Sequence, residues 1–156
     1  MSIYFLDSSG LVKRYTAEIG TAWVQSITDP SVSNKIYIAQ ITGVEVIAAI
    51  RARATKHRPP SVSLPDAVSV INNFTLDFDN QYIRIEVTDQ LIREAMRLTD
   101  KHALRAYDAV QLAAALEINN DVISEGLPPV VLISADRNLN VAGQAEGLTT
   151  DDPNNH

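Results

Sequence analysis

The sequence predicts an α/β protein with helices on both faces of a mostly parallel sheet, and three observations carry that prediction. Two short segments, IYFL at 3–6 and VVLI at 130–133, are continuously apolar, the pattern of strands covered on both faces. Apolar, β-prone segments alternate with helical ones along the chain, the order that builds parallel sheets through crossover helices. Each continuous run then ends in a polar cluster carrying an aspartate: Asp7-Ser8-Ser9-Gly10 after the first, Ser134-Ala135-Asp136 after the second.

In order, residues 3–6 form the first strand. Ser8 and Ser9 suit the start of a helix, and Gly10 permits a tight strand-to-helix turn. Residues 11–15 and 21–27 read as helical with an interruption near Gly20, and 36–38 as a second strand. Residues 41–53, ITGVEVIAAIRAR, form a helix with Thr42 as an early cap. On its 3.6-residue period Ile41, Glu45, Ala48, Ala49 and Ala52 share one side. A basic run (Arg51, Arg53, Lys56, His57, Arg58) closes at Pro59-Pro60, which ends the helix. Ser63-Leu64-Pro65-Asp66 is a capping sequence for a further helix ending within 73–77. Ile83, Ile85 and Val87 alternate as a strand over 82–87, and Thr88 caps a helix through Asp100. The stretch 104–116, LRAYDAVQLAAAL, is a helix rich in Ala and Leu. A short helix over 138–145, stopped at Gly147, leads to a polar tail. The expected organisation is one domain over 1–148, with 59–79 a protruding helical insertion and 149–156 the tail.

Composition sets bounds. A chain of 156 residues, 46% hydrophobic and 21% charged, can bury a core without a metal or crosslink to hold it up. There is no cysteine, which excludes disulfides and thiolate metal sites and suits a reducing compartment. The start, MSIYFLDSSG, lacks a basic leader, and no run of about 18 apolar residues occurs; a cytoplasmic protein with no membrane partner is expected. The net charge of −6 argues against a protein that coats nucleic acid. It leaves room for a nuclease whose acids are engaged with metal.

Four acids stand out. Asp7 and Asp136 lie just past apolar strands, where open α/β sheets place their sites. Asp108 sits among Leu104, Leu112, Ala115 and Leu116, and Glu45 repeats the anomaly on its own helix. An ionised carboxylate in an apolar stripe costs several kcal/mol, roughly, unless a positive partner meets it. Two carboxylates about 4 Å apart repel by roughly 4 kcal/mol at an effective dielectric near 20, so four in one crevice need protons or cations. An all-oxygen set favours Mg²⁺ or Mn²⁺ over Zn²⁺. Each acid also has an ordinary alternative. Asp7 and Asp136 can serve as caps, Glu45 can reach solvent past small side chains, and Asp108 can pair with Arg105 or Lys101.

In four stretches, YFLDSSGLVKRY, the helix of Glu45, LRAYDAVQLAAAL and LISADRNLNVAGQAEGL, the chain resembles the PIN-domain ribonucleases, in particular the VapC-type toxins of toxin–antitoxin pairs. The stretches occur in the family's order and spacing over nearly the whole chain. The resemblance implies a PIN-like three-layer α/β/α sandwich and RNA hydrolysis by water activated on Mg²⁺ or Mn²⁺. Its acids match Asp7, Glu45, Asp108 and Asp136, with Ser8 supporting the site. It also implies a small antitoxin partner and a homodimer. Ser8, Lys13, Arg51 and Arg53 are the candidate substrate contacts, although an exposed basic helix end is commonplace. His102 reads as a capping or core-edge residue, and Trp23 as packing rather than a base-stacking platform.

Three other functions compete. A phosphotransfer enzyme also places Asp after its first strand, but Ser9 stands where a dehalogenase-type phosphatase needs a second acid. A non-catalytic PIN-like scaffold binding RNA or protein has no reason to bear the acids' repulsion. A DNA-directed nuclease would use the same metal chemistry.

Overall fold

The computed structural model describes residues Met1–His156. Five strands, β1 (Ile3–Leu6), β2 (Lys35–Ala39), β3 (Ile83–Ile85), β4 (Val131–Ile133) and β5 (Thr149–Asp151), form one sheet in the order β3-β2-β1-β4-β5. Every pairing is parallel, with Phe5 opposite Tyr37 on one side and Leu132 on the other. Seven helices connect and cover the strands: α1 (Ser8–Leu11), α2 (Thr21–Ile27), α3 (Thr42–Thr55), α4 (Leu64–Asn80), α5 (Asp89–His102), α6 (Ala106–Ser124) and α7 (Arg137–Ala145). No helix is long and apolar enough to cross a membrane.

The continuously apolar strands feed two cores, because successive strand residues point to opposite faces. Ile3, Phe5 and Leu132 pack with α5, α6 and α7. Leu6, Ile36, Ile38 and Ile133 pack with α1–α4. Helix α1 lies so close to β4 that a Cβ on Gly10 would stand 2.6 Å from the Ile133 carbonyl oxygen, so only glycine fits there. The expected caps are made: Ser63 accepts from the Asp66 N–H and Thr88 from the Leu91 N–H.

Four expectations need correction. The buried side of α3 carries Thr42, Gly43, Val46, Ile50 and Ala54, about one residue on from the expected row, of which Ala49 packs at the edge of the core and Ala48 is exposed, because the side that admits α4 is the one bearing Gly43. Gly43 is pressed against Phe78 of α4. Thr42 lies inside that helix and turns its hydroxyl to Gln111 rather than capping. Residues 59–79 do not protrude: α4 buries Ala67 and Phe74 in the second core and runs on to Asn80. The polar tail is also structured. Thr149–Asp151 forms edge strand β5, Pro153 is buried, and His156 stacks on Trp23 with ring centroids 3.9 Å apart.

Candidate active site

Strands β1 and β4 are neighbours at the point where the strand order reverses, and their carboxyl ends open a crevice there. Asp7 leaves β1 and caps α1. Its carboxylate accepts the Gly10 N–H at 2.8 Å, Ser9 Oγ at 2.8 and 2.9 Å, and Ser134 Oγ at 2.9 Å. All three donors are neutral, and the side chain is buried. Burial disfavours its charge and pushes the carboxyl up from 3.8 to about 7; the three donors pull downward, and the nearby Glu45 charge adds to the rise.

Glu45 projects from the first turn of α3 and is half-buried. Gln111 Nε2 donates to its Oε1 at 2.6 Å and Ser8 Oγ to its Oε2 at 3.2 Å. Burial raises this carboxyl too, opposed by those two donors and abetted by the charge of Asp108. Gln111 is itself buried and also donates to Thr42 Oγ1 at 2.9 Å.

Asp108 lies in the first turn of α6, and Asp136 caps α7 by accepting the Leu139 N–H at 3.0 Å. One guanidinium spans both: Arg105 Nε donates to Asp108 at 2.9 Å and its Nη2 to Asp136 at 3.0 Å. A cleft of about 260 Å³ is lined by Asp7, Ser8, Ser9, Glu45, Asp108 and Asp136, with Arg105, Ala106 and Tyr107 completing its wall. All four expected acids therefore meet in one hollow.

The donor set suits a hard divalent cation. Every candidate ligand is oxygen, and Asp7 is a buried acid with no cation beside it. No three of the acids converge on a single coordination point, and Arg105 supplies the positive charge between Asp108 and Asp136.

Of the expected substrate contacts, Ser8 alone lines the cleft. Lys13 is buried, with its amine bound to Glu18, the Ile19 carbonyl and Asn154. Arg53 is paired with Glu18 across 35 residues of sequence. Arg51 is exposed and does not border the cleft. Both Lys13 and Arg53 thus tie the loop after α1 to the rest of the fold rather than rim the acids. His102 behaves as expected, bonded to Glu146 at 2.6 Å.

Sequence reasoning missed Ser9, Ser134 and Gln111. Gln111 left a signal, being the one amide within the apolar run AVQLAAAL; Ser134 left its position between an apolar strand and an acid.

Acidic side chains gathered at the carboxyl ends of a five-stranded parallel sheet, covered by helices on both faces, define a PIN-like α/β protein. No protein-family model matches the chain. Two curated relatives do: over 147 residues it is 30% identical to Ribonuclease VapC45 and to Ribonuclease VapC49 of Mycobacterium tuberculosis (strains CDC 1551 / Oshkosh and ATCC 25618 / H37Rv). The match covers 94% of this chain and 93% of each relative. The chain belongs to the VapC ribonuclease family. Solved structures share its fold at lower identity. PAE2754 from Pyrobaculum aerophilum matches with a TM-score of 0.60 at 18% identity, over 99% of this chain and 94% of that one. VapBC2 from Rickettsia felis, bound to a DNA fragment from its promoter, gives 0.59 at 12%, over 96% and 98%. VapBC-1 from nontypeable Haemophilus influenzae gives 0.57 at 15%, over 97% and 98%.

Proposed function

We propose that this protein is a metal-dependent endoribonuclease and the toxin of a toxin–antitoxin pair. One observation carries the metal-site reading. Four carboxylates from four separate segments line a single cleft, and the most buried of them, Asp7, meets only neutral donors. Packing alone does not favour such a group, because a buried charge needs a counter-charge. The names of the curated relatives support RNA as the substrate. The solved VapBC structures support a small antitoxin as partner, and the family resemblance supports a homodimer.

Asp7, Asp108 and Asp136 are the residues that would hold Mg²⁺ or Mn²⁺, with Glu45 beside them. When bound, the ion supplies an activated water and neutralises charge developing on the phosphodiester. The chain's own part is orientation. Ser9, Ser134 and the Gly10 amide fix the Asp7 carboxylate. Gln111 and Ser8 hold one oxygen each of Glu45, leaving remaining lone pairs to orient the attacking water or a ligand. Those hydrogen bonds fix the Asp7 and Glu45 carboxylates before a substrate arrives.

The deciding experiment measures cleavage of defined RNAs, with single-stranded DNA of the same sequence alongside, in Mg²⁺, Mn²⁺ or excess chelator. Wild-type protein is expected to cut RNA with either metal and to stop in chelator, and Asp7→Asn to fold but not cut. Full activity of Asp7→Asn, or activity in chelator, would overturn the metal reading, and preferential cutting of DNA would overturn the substrate.

A further inference from the structure

Next to the acid-lined cleft, and sharing Arg105 and Asp108 with it, lies a second cleft of about 590 Å³. Leu104, Val141 and Ala142 give it an apolar floor, and Arg105, Arg137 and Asn138 give it polar walls. The chain has thirteen Lys and Arg residues. Five of them, Lys35, Arg51, Lys56, Arg58 and Arg137, have no carboxylate partner. Of those five, Arg137 alone borders one of the principal clefts. His102, which borders the same cleft, is by contrast engaged with Glu146.

The position of Arg137 is unfavourable on its own terms. It is the first residue of α7, where a cation faces the positive end of the helix dipole. Its side chain has no hydrogen-bond or ion-pair partner within the protein, and it is exposed. An anion in the cleft would relieve that repulsion, and Arg105, whose Nε and Nη2 serve Asp108 and Asp136, has Nη1 to offer it as well.

We infer that this second cleft seats the RNA strand directly beside the scissile phosphate, with Arg137 and Arg105 meeting backbone phosphates. The assignment rests on the ribonuclease reading above. A strand whose scissile phosphate lies over Asp7 and Glu45 continues into the adjoining hollow, because the two clefts share a wall at Arg105 and Asp108. There the floor of Leu104 and Val141 packs against a sugar or base face, and the Asn138 amide presents both donor and acceptor to a base edge. In a chain of net charge −6, an uncompensated cation bordering this cleft attracts a polyanion toward the acids beside it.

The test is the fluorescence anisotropy of a labelled single-stranded RNA bound by the full chain in chelator, repeated across 50–200 mM salt. Arg137→Ala is expected to weaken binding roughly fivefold and to lower the slope of log affinity against log salt by about 0.7. Arg137→Lys keeps the slope. Arg93→Ala, an exposed arginine on α5, changes neither. In Mg²⁺, Arg137→Ala raises the half-saturating RNA concentration while kcat stays within about twofold. Removing a cation from a helix start leaves the thermal midpoint unchanged or higher, which separates lost binding from lost folding. Wild-type affinity and slope in both Arg137→Ala and Arg137→Glu, while the wild-type protein still cuts RNA, would overturn the assignment and leave the ribonuclease reading standing. A wild-type protein that neither binds nor cuts RNA would overturn both.

Discussion

Asp7 has a folded-state carboxyl pushed up to about 7 from an ordinary 3.8, so its burial sets a pH dependence on stability. Between those values the folded chain keeps the proton that the unfolded chain releases, and stability therefore falls as pH rises from about 4 to 7. The full shift corresponds to about 4 kcal/mol. Asp7→Asn removes the charge while its amide can still accept from Gly10 and donate to the Ser134 hydroxyl. It is expected to melt higher than wild type at pH 8 and to lose that advantage near pH 4, as thermal unfolding at both pH values will show. A lower midpoint at pH 8 would mean that Asp7 is stabilised by something other than its neutral donors. Gln111 acts through Glu45. In Gln111→Leu the Glu45 carboxyl loses its shortest donor, and the acidic limb of the cleavage pH profile should move to higher pH. Stability should fall by about 1–3 kcal/mol, because Thr42 loses its buried partner. A pH profile identical to wild type would separate Gln111 from the chemistry.

At the level of single elements, helix α1 is only four residues long and is held by contact rather than by its own propensity. Gly10→Ala drives a methyl into the Ile133 carbonyl; a loss of about 2 kcal/mol is expected from the denaturant midpoint. Cleavage should fall with it, since Asp7 and Ser134 flank the contact. The junction of Lys13, Glu18 and Arg53 gives the opposite pairing of effects. Arg53→Ala should lower stability by roughly 1 kcal/mol, discounted for its partial exposure, and leave RNA affinity and its salt slope untouched; a changed slope would restore Arg53 to the substrate path. These elements also show what local sequence contains. Thr88 and Ser63 announced their helices because a cap is a chemical event within three residues. The buried side of α3 was misplaced by about one residue because Ala, Thr and Gly carry little hydrophobic contrast, and Phe78, 35 positions further on, decides which side is covered. The pairing of Arg53 with Glu18 was illegible for the same reason: it joins segments that only the fold brings together.

The strand order of the whole molecule turns four separated acids into one site. Two of them could be placed from sequence at strand ends, since a continuous apolar run followed by Asp is a local pattern. Their adjacency could not, because it depends on β4 returning beside β1 after the chain has built the other half of the sheet. Edge strand β5 looks like tail in the sequence because Thr149–Asp151 is short and polar; its pairing with β4 supplies what its composition lacks. Helix α6 is legible as a helix, but its burial is not, because the sequence marks a one-sided apolar stripe where Ala109–Ala115 are all buried. A rod enclosed on every side over Ala109–Ala115 can neither roll nor slide there without opening the core that holds it. It is a fixed axle, and it carries Asp108 and Gln111 on its first two turns. Its central amide hydrogens should exchange with deuterium only through whole-chain unfolding, whereas those of α4 should exchange through smaller openings. What such an axle provides is a fixed seat for Asp108 and for the amide that holds Glu45.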